Sequence, residues 1–238
     1  MTAAAAPKLR ARTARATRTA AYSVDVVLLT PADGRLAAVL VRAPATRSGE
    51  ARPRERWALP WDPGQADDVL ADRAAAIARA VVGVEPAWME QIGAFGDGRR
   101  HPSGAEISVA FLGLLPVGTE LPAASDAEFL PLAELPPVAP RQRAMLDGAF
   151  ALLRARAQQA PVAIRLLPPT FTLSELQEMY ELLLDRRLHK ASFRRSLQAA
   201  RIVEPTDEWR SEGRGRPAQL FRYAPKKRRS APRGVRFE

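Results

Sequence analysis

Residues 57–86 read WALPWDPGQADDVLADRAAAIARAVVGVEP. A short strand with a tryptophan at each end of ALP runs into a Pro-Gly turn. A helical run follows and stops at Gly83. This outline is that of a phosphate-chemistry motif, and a catalyst would want carboxylates on the helix. Here the helix offers alanine, isoleucine and valine instead. Whether this is a catalyst stripped of its groups or a domain that never needed them depends on what surrounds it.

Upstream, YSVDVVLLT from Tyr22 and LAAVLVRA from Leu36 are aliphatic, β-branched runs on either side of PADG, and Asp33-Gly34 is a hairpin signal. RAPATRSGEARPRER is a polar loop. Downstream, MEQIGAFGDGRRHPSGAEISVAFLGLLP reads as strand, Gly- and Arg-rich loop, and strand, and FLPLAELPP as a short connection. Strands alternating with one clear helix predict an α/β domain over residues 21–137. Beyond LPPVAP, Met145, Ala149, Leu152 and Leu153 recur at helical spacing, predicting a connector helix within 138–160 whose apolar stripe needs a partner.

APVAIRLLPPTFT then reads as a proline-rich stop. SELQEMYELLLD is a helix with Leu176, Met179, Tyr180 and Leu183 on one face, capped by Thr172 or Ser174 with Glu175 or Gln177 three residues later. Glu175, Glu178 and Glu181 are expected on its solvent face. HKASFRRSLQAARI is the next helix, and IVEPT and AQLFRYA are strands around the polar loop DEWRSEGRGRP. The domain so defined spans 161–224, with a flexible basic arm at 1–20 and a basic, disordered tail at 225–238.

Charge separates these parts. The net charge is +10, yet residues 21–160 carry 14 basic and 17 acidic residues. Residues 1–20 carry five basic and no acidic residues, and residues 161–238 carry 17 and 9. An acidic body between basic ends implies two jobs, with the basic parts facing a polyanion. The sequence holds no cysteine, so disulfides and thiolate metal sites are excluded. His101 and His189 are the only histidines, too few for a histidine-rich metal centre. No apolar run is long enough to span a membrane and the basic N-terminal segment has no apolar core of a secretory signal, so a cytoplasmic, DNA-associated protein is expected.

Helix, short turn, helix and β-hairpin is the layout of a winged helix-turn-helix, whose second helix enters the major groove. Lys190, Ser192, Arg194, Arg195 and Gln198 lie on the polar side of that helix, while Phe193 and Leu197 are spaced to pack inward. Arginine and lysine donors match guanine edges and phosphates. Arg210, Arg214 and Arg216 in the wing are placed to grip the backbone or a minor groove, and Arg10, Arg12 and Arg15 in the arm to neutralise phosphates.

FTLSELQEMYELLLDRRLHKASFRRSLQAARIVEPT and GRGRPAQLFRY resemble the C-terminal winged helix of the Nudix-related transcriptional regulators, the NrtR family, repressors linked to NAD metabolism and sugar use. FGDGRRHPSGAEISVAF resembles that family's loop and strand after the Nudix helix, usually F-G-D-x-x-R-D-P-x-G-R-x-x-S-V-A-Y, with His101 standing where Asp is usual. The resemblance covers most of residues 21–224 and implies a Nudix-like mixed-sheet α/β/α sandwich followed by a winged helix-turn-helix. Laid on the Nudix box G-x5-E-x7-R-E-U-x-E-E-x-G-U, the opening stretch puts Asp62 at the first Gly and Asp68 at the first Glu. Ala76 then replaces the Arg, Ile77 the next Glu, and Ala80 and Val81 the Glu pair, while Gly83 and Val84 match. That helix can hold no hard cation, so no catalytic residue, metal or cofactor is expected, and Asp68 and Asp72 are read as surface charges at the helix N-terminus.

The resemblance implies a regulator, a repressor by family habit, that binds a palindromic double-stranded DNA operator as a homodimer. It also implies an effector, ADP-ribose or a related nucleotide or sugar, bound without hydrolysis. Trp57, Asp97, Arg99 and Arg100 are the candidate effector contacts, because paired arginines in a Gly-rich loop can cradle phosphates. Trp61 is expected to fill part of the pocket or else to stack on a ligand base, Trp88 to anchor the core and Trp209 to anchor the wing. A diphosphate hydrolase with an atypical metal site is the alternative, opposed by the missing glutamates.

Overall fold

A computed structural model describes residues 22–43, 56–123, 125–159, 161–211 and 217–224. The expected arm with Arg10, Arg12 and Arg15, the wing residues Arg214 and Arg216, and the tail all lie outside the described residues.

β1 (Tyr22–Ala32) is buried from Ser23 through Thr30, because it is the central strand of a sheet covered on both faces. It returns antiparallel into β2 (Arg35–Arg42) through Asp33 and Gly34, with φ of 47° and 70°, the left-handed pair that an Asp-Gly hairpin turn takes. β3 (Trp57–Ala58) pairs with β2, and β4 (Trp61–Pro63) pairs with β1. β5 (Trp88–Phe95) and β6 (Ile107–Leu114) are antiparallel, and β6 runs parallel to β1 from Tyr22↔Ile107 to Leu29↔Leu114. FLPLAELPP is more than a connection: β7 (Ala127–Pro131) adds to β2 and a single 3-10 turn follows. The sheet order is β3-β2-β1-β6-β5, with β4 on β1 and β7 on β2.

α1 (Leu70–Val82) covers one face through Ala74, Ile77, Ala78 and Val82. Gly83 ends it at φ 76°, where its N–H donates to the Arg79 carbonyl, a left-handed cap that suits glycine. Gly64 allows the approach of Tyr22, since a Cβ there would stand 2.0 Å from the ring.

α2 (Pro140–Gln159) covers the other face and completes an α/β/α sandwich. Met145, Leu146, Ala149, Leu153 and Ala157 are buried on it, against β5, β6 and the C-terminal module. The stripe read as needing a partner therefore finds that partner within the chain.

The stretch read as a proline-rich stop holds α3 (Val162–Leu166) and β8 (Thr170–Phe171). α4 (Leu173–Leu184) starts at Thr172, whose hydroxyl accepts from Glu175 N while the Glu175 carboxylate accepts from Thr172 N. The structure thus selects the Thr172–Glu175 capping box over Ser174–Gln177. α5 (Lys190–Ala200), β9 (Val203–Arg210) and β10 (Ala218–Tyr223) complete a winged helix with sheet order β8-β10-β9. DEWR belongs to β9 rather than to the loop. One apolar core joins both modules: Val27, Leu29 and Leu112 belong to the same cluster as Met145, Leu153, Leu176 and Phe193.

Candidate nucleic-acid interface and ligand groove

On α5, Phe193 and Leu197 are buried, and Phe193 meets Tyr180 of α4 edge-on at 5.8 Å. The opposite face presents Lys190, Arg194, Arg195 and Gln198, all exposed. Ser192 is half-buried, and its hydroxyl accepts from Arg195 Nη2 at 3.3 Å. The inward and outward faces are those the spacing predicts.

The turn into α5 is set by a glutamate expected in solvent. Glu181 Oε1 accepts from Gln177 Nε2 at 2.9 Å and from Leu188 N at 3.0 Å, and Oε2 pairs with Arg187 at 2.8 Å. Its side chain is only 10% exposed. Burial alone would raise its pKa, but these donors together hold it below the ordinary carboxylate range. Glu175 is likewise withdrawn from the expected solvent face and held low, its burial outweighed by Thr172 N and Arg210. Glu178 alone of the three is exposed.

Arg210, expected to grip DNA, is paired within the module: Nη1 lies 2.6 Å from Glu175 Oε1 of α4 and Nη2 3.5 Å from the Thr170 carbonyl of β8. Trp209 does not anchor the wing from inside; it is 58% exposed, opposite Gln219. Trp88 is half-buried and packs against the main core.

In the sandwich, Asp62 lies on β4, Asp68 precedes α1, and Ala76, Ile77, Ala80 and Val81 lie on α1. Ala76 and Ala80 are exposed, Val81 is half-buried and Ile77 is buried. A groove of about 280 Å³ opens there, lined by Val41, Trp61, Asp62, Ile77, Ala80 and Val81. Asp62 is paired with Arg73 at 2.6 Å. Asp68, read as a surface charge, accepts from Gln65 N at 2.7 Å and from Tyr22 Oη at 3.4 Å. No group of three acidic or histidine side chains able to hold a metal occurs among the described residues. The groove does not fit the divalent ion that the Nudix scaffold would otherwise use.

The candidate effector residues are scattered. Trp57 lies under the Arg42 guanidinium, 4.0 Å from its ring centre, and lines no described groove. Asp97 and Arg99 pair with each other at 3.1 Å within their loop, and the Arg100 carbonyl accepts from Arg141 N at 3.2 Å. The tryptophan on the groove wall is Trp61, which meets the His101 ring edge-on at 5.5 Å. A larger cleft of about 430 Å³, bounded by Leu36, Leu132, Phe150, Leu153 and Leu182, separates the β1–β2 turn from α2 and α4 and holds none of these residues.

Beneath the loop lies a polar cluster that the sequence reading passed over. Asp25 and Gln142 are fully buried, and Arg141 and His101 nearly so. His101 Nδ1 takes the Ser103 backbone N–H at 3.1 Å, so the ring proton sits on Nε2 and donates to Asp25 Oδ1 at 2.7 Å. Gln142 Nε2 donates to the same oxygen at 3.1 Å, and its Oε1 accepts from Leu59 N at 3.1 Å. The Arg141 guanidinium donates to the Ala105 carbonyl at 2.7 Å and to Ser108 Oγ at 3.3 Å. A guanidinium only donates and a carboxylate only accepts, so Ser108 and Ser23, 2.8 Å apart, relay the hydrogen bond from Arg141 to Asp25 Oδ2. One signal was available: Asp25 interrupts an otherwise uncharged, apolar strand, and such a carboxylate needs buried donors.

Residues 163–223 match the family model of the NrtR DNA-binding winged helix domain. Over 147 residues the chain is 32% identical to the ADPR responsive transcriptional repressor NtrR of Acinetobacter baylyi, an alignment covering 60% of this chain and 58% of that one. The chain thus spans less than two thirds of that curated relative's length. The crystal structure of Shewanella oneidensis NrtR complexed with a 27mer DNA is similar at 28% identity and a TM-score of 0.75, covering 91% of this chain and 99% of that one. A MutT/nudix family protein from Enterococcus faecalis shares the fold at 17% identity and a TM-score of 0.67, over 87% and 89% of the two chains.

Proposed function

We propose that this NrtR-family chain, a Nudix-like sandwich carrying an NrtR winged helix over residues 163–223, is a sequence-specific DNA-binding transcriptional regulator of the repressor kind. The observation that carries the reading is α5, which buries Phe193 and Leu197 and turns Lys190, Arg194, Arg195 and Gln198 outward. A helix held by two apolar anchors with a cationic outer face can lie in a major groove without rearranging. Ser192 steadies Arg195 and belongs to the same surface. Arg10, Arg12, Arg15, Arg214 and Arg216 add phosphate contacts in this reading.

The sandwich is the sensing part. In the proposal it binds ADP-ribose or a related nucleotide without hydrolysing it. Apolar Ile77 and Val81, with Ala80 between them, leave no carboxylate face to hold Mg²⁺ against a diphosphate. Asp97, Arg99 and Arg100 sit at the surface of the neighbouring loop, within reach of a charged ligand once their own pairing is exchanged. Trp57 stays with Arg42, and Trp61 takes its place as the aromatic wall.

The test is capture of genomic fragments by the full-length protein, with and without ADP-ribose, beside a hydrolysis assay with Mg²⁺. A recurrent palindromic site, released by the nucleotide, is the expected result. Random fragments alone would sink the regulator reading. Turnover that rises with Mg²⁺ and disappears in Asp68→Ala would restore the hydrolase.

A further inference from the structure

The groove and the loop that follows β5 converge on one buried cluster, and the first two residues after Pro140 hold that cluster together. Trp61 walls the groove and touches His101. His101 donates to Asp25, and Gln142 donates to the same carboxylate oxygen while also binding the backbone of Leu59, two residues before Trp61. Arg141 holds the loop at two points, its middle and its far end: its N–H donates to the Arg100 carbonyl and its guanidinium to the Ala105 carbonyl. The buried carboxylate and the buried guanidinium are joined through Ser23 and Ser108.

Such a cluster resists partial rearrangement, because each broken bond leaves a charged or polar group without a partner away from water. A displacement of Trp61 or of the loop is therefore passed on to Arg141 and Gln142. These residues open α2, whose 20 residues make a rod of about 30 Å. Further along the rod, Leu153 shares a core with Leu176 and Leu183 of α4, and Arg154 pairs with Asp185 at the end of α4.

We propose that Arg141 and Gln142 are positioning residues that tie the groove wall and the loop over 97–105 to α2, so that a ligand in the groove acts on α4 and α5 by moving α2 as a unit. The tie stands on the bonds above; only its use by a ligand rests on the effector reading.

The experiment uses the full chain and Gln142→Met, which keeps the length of the side chain and removes its amide. Amide hydrogen exchange without ligand is the first readout. Gln142→Met is expected to speed exchange at least threefold in both the loop and α4–α5. Val82→Ala, a cavity on the far face of the sheet, should leave α4–α5 at wild-type rates. Faster exchange confined to the first turn of α2 would overturn the tie.

The second readout is DNA affinity titrated with ADP-ribose. With the DNA and nucleotide affinities of Gln142→Met each measured separately, the nucleotide's effect on DNA binding, taken relative to the variant's own affinities, is expected to fall at least fivefold. A full wild-type effect in the variant overturns the proposal. Should Gln142→Met not fold, Arg141→Lys takes the same two readouts. If ADP-ribose leaves wild-type DNA binding unchanged, the effector reading fails, and the exchange measurement still decides the tie.

Discussion

Arg210 Nη1 stands 2.6 Å from Glu175 Oε1, so the last residue of β9 is bonded to the first turn of α4. The other oxygen of that carboxylate, Oε2, accepts from Thr172 N at 2.7 Å. One glutamate thus closes the helix cap and latches the wing. We propose that Arg210 fastens the wing through this pair. Arg210→Ala and Glu175→Gln are expected to weaken DNA binding to the same extent, with little further loss in the double variant. In thermal unfolding the pair should show a coupling of about 0.5–1 kcal/mol, the scale of a half-exposed ion pair. A DNA loss seen in Arg210→Ala alone would return Arg210 to the phosphates.

The two retained carboxylates have a pH consequence. Glu175 and Glu181 both lie below their ordinary value of 4.5, because hydrogen bonds to the charged form outweigh burial. A carboxyl lowered in the folded state contributes stability above its unfolded pKa and loses it as pH falls through the folded value. The winged helix is therefore expected to lose stability below about pH 4.5. Glu181→Gln should flatten that dependence and lower the melting temperature at neutral pH. Melting curves followed by circular dichroism between pH 3 and 7 check it, and equal slopes for wild type and variant would count against the role of Glu181.

On α5 both arginines are exposed, but Arg195 leans back on Ser192 and Arg194 does not. Arg194→Ala is expected to cost about 1–3 kcal/mol on the operator and little on random DNA, as for an arginine on a guanine edge. Arg195→Ala, like Arg214→Ala or Arg15→Ala, should weaken both DNAs alike and lower the salt slope by about one. Affinities measured across a salt series separate the two behaviours. Equal losses on both DNAs for Arg194→Ala would move base reading to Lys190, Ser192 or Gln198.

A homodimer is expected, since one winged helix reads one half-site and a palindrome calls for two-fold symmetry. The stripe on α2 is buried inside the chain, so that stripe is not free for the dimer contact. Light scattering on free and DNA-bound protein tests this, and a strict monomer in both states would remove the palindrome from the account.

Features whose causes lie within a few residues were open to reading from the sequence alone. The Asp33-Gly34 turn and the Gly83 stop follow from backbone preference, whereas the choice of Thr172–Glu175 over Ser174–Gln177 and the burial of β1 waited for the fold. The outward face of α5 was legible too, because Phe193 and Leu197 recur at helical spacing and carry the opposite face with them. That the run around Ala80 and Val81 offers no carboxylate pair is a matter of residue type and needs no fold at all.

Tertiary structure decided the rest. α3, β7 and β8 have five residues, five and two, too short for a period to register against their apolar neighbours. Arg194 and Arg210 look alike in a basic sequence, and only the packing of the wing on α4 leaves one in solvent and brings the other to a carboxylate 35 positions away. Asp25 and His101 are 76 positions apart, and the parallel alignment of β1 with β6 is what sets Ser23 opposite Ser108 beside them. Charge and hydrophobicity say which residues must leave water or find a partner. Which partner they find depends on the strands and helices that become neighbours, and that choice is made by burying the whole core at once.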